Sequence, residues 1–107
     1  MIGPKNGERS LYNKFKLAIL NLSDKIEVKP LKLYIAFKKE KANVCDIIVL
    51  KKGLKIFINK EKGTLDDSKR IMRDISKTGH WGNGDYEISV NDDSNLEYIM
   101  SLIKQAL

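Results

Sequence analysis

The sequence is poor in the residues that build stapled, metal-clustered or membrane-spanning proteins. It has one cysteine, Cys45, so no internal disulfide forms and nothing points to an oxidising compartment. It has one histidine and one tryptophan, and its longest apolar runs, such as Ile47 to Leu50, fall far short of the ~20 residues that a membrane helix needs. Residues Met1 to Lys5 lack the apolar core of a signal peptide, and a cytoplasmic location is expected. Arginine is also scarce, with only Arg9, Arg70 and Arg73, which weighs against a specific reader of bases or phosphates built on the guanidinium fork.

What is present is lysine and aliphatic side chains. Over 107 residues, 42% hydrophobic and 32% charged, the composition is that of one soluble globular domain. A chain of this size buries roughly 60–65% of its unfolded surface, so no metal staple is required. The formal charge of +6 favours an anionic partner: nucleic acid, an acidic protein or a phosphorylated ligand.

Residues 1–9 carry Gly3, Pro4 and Gly7 without periodicity and read as a flexible lead-in to a domain over residues 10–107. Ser10 is placed to cap a helix whose stripe is Leu11, Phe15, Ala18, Ile19 and Leu22. A period of two then begins at Ile26 and Val28, with Pro30 marking an edge or a break. Leu31, Leu33, Ile35 and Phe37 alternate with Lys32, Tyr34, Ala36 and Lys38 as a second strand. Val44 to Leu50 is more continuously apolar and reads as a central strand holding Asp46. Past Lys51-Lys52-Gly53, Leu54, Ile56 and Ile58 alternate with Lys55, Phe57 and Asn59.

Asp66 or Asp67 is placed to cap a second helix with Ile71, Met72 and Ile75 inward and Gly79 at its end. In the next strand Tyr86, Ile88 and Val90 share one face, and Asp85, Glu87 and Ser89 the other. Ser94 and Glu97 match a capping box for a last helix through Leu96, Ile99, Met100, Ile103 and Leu107. The expected order is α-β-β-β-β-α-β-α: an α+β domain with a mainly antiparallel, five-stranded sheet and helices packed mostly on one face.

The densest stretch is Gly79-His80-Trp81-Gly82-Asn83-Gly84-Asp85-Tyr86-Glu87, with the only His, the only Trp and three of the seven glycines. Glycines so spaced suit a shaped turn feeding a strand. With Lys32 to Phe37, Asp46-Ile47-Ile48, Leu54 to Asn59, Gly63 to Asp67 and Arg73 to Ser76, this signature resembles a small bacterial and archaeal family, domain-of-unknown-function family 5655, often labelled "predicted transport protein". The resemblance implies a domain found alone or at the C-terminal end of longer proteins, some of which look like nuclease or restriction components. It implies no activity, and the transport label has neither a membrane segment nor a nucleotide-binding loop behind it.

Three candidate sites follow. His80, Trp81, Asp85 and Glu87 are the candidate ligand or partner site, with an imidazole and two carboxylates within reach of one another. The competing reading is a structural corner in which Asp85 satisfies turn amides and Trp81 lies as a lid on the core. Arg70, Arg73 and Lys77 fall on one stripe of the expected second helix and form a candidate anion-binding set with Lys32 and Lys55. Lys32, Tyr34, Lys38, Lys55 and Phe57 share the outward face of the strands, where cations among aromatics suit stacked bases. A nuclease needs an acid on the strand after Asp46, and Leu54 to Asn59 has none, so no catalytic set, metal or other cofactor is expected. The expected function is a non-catalytic module for nucleic acid or an acidic protein partner, away from membranes. The alternatives are a protein-protein docking domain using the Trp81 turn, or a small-ligand or enzyme site at His80, Asp85 and Glu87.

Overall fold

The computed structural model describes residues 3–32, 34–61, 63–75 and 85–107, with side chains from residue 10 onward. Its elements are α1 (Gly3–Leu20), β1 (Ile26–Pro30), β2 (Ile35–Lys39), β3 (Ala42–Leu50), β4 (Gly53–Ile58), β5 (Arg73–Asp74), β6 (Tyr86–Val90) and α2 (Leu96–Lys104). The strands form one sheet in the order β1-β2-β3-β4-β6-β5, every neighbouring pair antiparallel. This is the expected α+β architecture, with a sixth, two-residue strand added.

Period explains which sheet face the helices cover. Phe15 and Ile19, one turn apart on α1, and Ile99, Leu102 and Ile103 on α2 are buried in one cluster with Phe37, Cys45, Ile47, Leu54, Ile56 and Ile58 of the sheet. Tyr86, Ile88 and Val90 of β6 pack against the same cluster, as their alternation requires. The β2–β3 register slips between Phe37 and Lys38, leaving Val44 as an extra residue. This bulge lets both Val44 and Cys45 enter the core, which explains why two successive residues there are apolar.

Pro30 ends the edge strand β1, and Leu31 N–H donates to the Tyr34 carbonyl to close the loop behind it (2.8 Å). That bond sets the parity of the ladder so that the proline nitrogen points away from β2, where no N–H is needed. The expected strand over residues 31–38 is therefore shortened. Lys32 and Tyr34 lie in the loop, and Leu33 lies outside the described residues.

Four further expectations are corrected. The first helix begins at Gly3, inside the expected lead-in, so Ser10 is not its cap. The capping box at Ser94 does not form, because the Ser94 hydroxyl and amide both turn to the Asp92 carboxylate and Asn95 occupies the cap position. Leu107 lies beyond the end of α2.

The largest correction is that residues 66–75 form no helix. The Asp67 carboxylate accepts hydrogen bonds from Met72 N–H (2.8 Å) and from the Tyr98 hydroxyl of α2 (2.5 Å), and Tyr98 in turn accepts from Lys69 N–H (2.9 Å). Arg70 takes a φ of 54°, outside any helix. An aspartate that offers its own oxygens to nearby amides competes with helical pairing, and here it wins. The Gln105 amide clips the same loop from α2, donating to Asp66 C=O and accepting from Asp66 N–H.

This strap is expected to respond to pH. Partial burial pulls the Asp67 pKa upward, but the bonds from Tyr98 and from the Met72, Ile71 and Arg70 amides outweigh it, leaving the carboxyl below its ordinary value. A depressed native pKa contributes stability above the unfolded value of about 3.9 and loses it as pH falls through the native value. Asp67→Ala is expected to cost about 1–2 kcal/mol near neutral pH. The gap to wild type should close in acid, as urea unfolding over a pH series would register; a constant gap would contradict the assignment.

Candidate functional site

On the face turned away from the helices, one row crosses the sheet: Ala36, Asp46, Phe57, Glu87 and Arg73, each opposite the next in register. An open face would leave these side chains wet. Instead Asp46 is 0% and Phe57 1% exposed, and Ala36 and Ile75 are also buried, outside the helix-covered cluster. Asp46 is a buried acid with hydrogen-bonding partners. Its Oδ1 accepts from Asn43 Nδ2 at 2.9 Å, and Asn59 Nδ2 holds the Asn43 carbonyl at 2.5 Å. Burial, and then the neighbouring Asp46 charge, push the adjacent Cys45 thiol far above its usual range, so it stays protonated and inert.

The candidate ligand site is divided by this arrangement. His80 and Trp81 lie outside the described residues. Asp85 is half-buried at the entry to β6, where its N–H donates to the Lys60 carbonyl (3.0 Å) and its own carbonyl accepts from Ile75 N–H (2.8 Å). Those bonds tie the exits of β4 and β5 to the start of β6. The Glu87 side chain, 12% exposed, meets Arg73 Nη1 at 3.5 Å, with Arg73 71% exposed. A candidate ligand-site acid and a candidate anion-site cation are thus paired with each other. Among the described residues, no group of three His, Cys, Asp or Glu is placed to hold a metal ion.

The candidate anion set is also redistributed. Without the expected helix, Arg70 lies in a loop and Arg73 on β5, so the two share no helical stripe, and Lys77 lies outside the described residues. Lys55 is on the second face, opposite Ile48 and Ser89, and Lys32 is exposed in the β1–β2 loop. Phe57 cannot stack a base, because it is buried. Indeed every described Tyr and Phe is at least half-buried.

The strand parity that places Lys55 outward also places Lys29 of β1 and Lys38 of β2 there, beside Lys41 in the β2–β3 turn. Lys29 and Lys41 are not among the site residues expected from the sequence, although the alternation about Val28 carried the signal for Lys29. Charge is segregated along the chain. Residues 24–62, which contain β1–β4, hold eleven lysines against five acids, which accounts for the whole formal charge of +6. Residues 85–107, with β6 and α2, hold five acids against one lysine.

The family described as domain of unknown function (DUF5655) matches residues 3–107. An uncharacterized protein of Haemophilus influenzae is 56% identical over 99 residues, which cover 92% of this chain and 32% of that protein. The chain thus spans about a third of the length of that curated relative. No solved structure matches.

Proposed function

We propose for this chain, which belongs to the family described as domain of unknown function (DUF5655), the role of a non-catalytic binding module for an anionic partner, nucleic acid above all, in the cytoplasm. The observation that carries the reading is the net charge of +6 over residues 24–62, the stretch of β1–β4 and their connections, with the opposite sign gathered in residues 85–107, which hold β6 and α2. A surface so divided orients the molecule toward a polyanion and raises the encounter rate. Lysines act there as point charges on phosphates and do not read bases.

The pairing of Glu87 with Arg73 speaks for a structural role of that acid over a catalytic one. Random-sequence nucleic acid should bind at low salt and be released as salt rises. Binding of a partner that ignores salt would turn the reading to protein docking on Leu31, Val49 and Leu50, which are exposed at the same end of the sheet.

A further inference from the structure

We propose that the anionic partner is a nucleic-acid duplex, whose phosphates are met by Lys29, Lys38 and Lys41 in a groove at the β1 edge of the sheet; the inference rests on the anion-binding reading above. The groove is lined by Glu27, Val28, Lys29, Lys38, Glu40 and Lys41. Lys29 stands opposite Ala36, and Lys38 opposite Glu27, so the two lysines are diagonal neighbours on one face, about 7–8 Å apart at the backbone. Glu40, at a φ of 58°, turns the chain so that Lys41 closes the groove from the hairpin end.

These cations are available. Among the described residues, Lys29, Lys38 and Lys41 have no ion-pair partner, although Glu27 is directly across the ladder from Lys38. Three other cations are engaged, Lys14 with Asp93 at 3.0 Å, Arg73 with Glu87, and Lys69 over the Tyr98 ring, so what sets Lys29, Lys38 and Lys41 apart from the remaining unpaired lysines is their convergence on one groove. The groove also lies against the terminal strand, beyond which the described sheet has no further member, so a rod-shaped partner can approach from the side.

The lining of this groove carries three lysines and no aromatic ring, which suits a duplex better than an unpaired strand. Single-strand binders lay unpaired bases on exposed aromatic rings, and no described Tyr or Phe is exposed. A duplex keeps its bases inside and offers phosphates, which lysine alone can meet.

The test is fluorescence anisotropy with a labelled random-sequence DNA duplex and one of its strands alone. The proteins are wild type, the triple variant Lys29→Ala/Lys38→Ala/Lys41→Ala, its Lys→Arg counterpart, and Lys16→Ala/Lys104→Ala as a control on the helices. The alanine triple should weaken duplex binding about tenfold or more at low salt and flatten the log–log salt slope by roughly 2–3, near 0.9 for each phosphate that a lysine no longer neutralises. The arginine triple should restore binding, the helix control should match wild type, and the single strand should bind less tightly than the duplex. An alanine triple that binds the duplex like wild type overturns the groove but not the anion-binding reading. A single strand bound as tightly as the duplex overturns the choice of duplex. A wild-type chain that binds neither overturns this inference together with the reading beneath it.

Discussion

Gly53→Ala is expected to destabilise the fold by about 3 kcal/mol or more, at the upper end of what overpacking costs. Gly53 opens β4 opposite Leu50, at the tip of the β3–β4 hairpin and beside the Leu54–Val90 pair of the next ladder. A Cβ there would lie 2.1 Å from the Val90 carbonyl oxygen and 3.1 Å from the Asn91 Cα. Both are backbone atoms, so no side chain can swing aside. Relief requires β4 and β6 to part at that end, which breaks ladder bonds at the centre of the sheet. For a domain of this size the shift corresponds to a fall in Tm of about 12 °C or more. A variant that melts with wild type would show that β4 and β6 can separate there at little cost.

Phe57→Ala should cost about 3–5 kcal/mol, the range for deleting a fully buried aromatic ring. The magnitude decides between two views of the second sheet face. If Phe57 were an exposed stacking residue, removing it would cost little stability and much binding. Buried at 1% exposure between Asp46 and Glu87, it should do the reverse. Equilibrium unfolding and duplex binding, measured under conditions where the variant remains folded, separate the two. A stability change below about 1 kcal/mol with abolished binding would restore the stacking view.

Much of the fold was legible because period shows directly in sequence. The stripe of Phe15 and Ile19 and the alternations at Leu54 to Ile58 and Tyr86 to Val90 need only local spacing to be read. What failed depended on partners distant in the chain. Ile71, Met72 and Ile75 fit a helical stripe, and nothing local reveals that Asp67 bonds to Tyr98 of α2 instead. Leu31, Leu33, Ile35 and Phe37 alternate without interruption, so the Leu31–Tyr34 loop closure was hidden inside a good strand pattern.

Phe57 was assigned to the correct face, but a face is not a burial. Whether an outward ring is wet depends on what else folds over it. The site suffered in the same way: Glu87 and Arg73 were each singled out, yet their pairing depends on a two-residue strand, β5, with no periodic signal at all. The signature residues His80 and Trp81 lie outside the described residues, and the proposed function rests on the lysines of residues 24–62 instead.

That central claim is tested most directly by the salt dependence of duplex binding to the wild-type chain. A straight log–log plot is predicted, with affinity falling as salt rises and a slope of at least about −2 to −3, as three neutralised phosphates would give. Binding that stays constant across the salt series, or no binding at its low end, would contradict it.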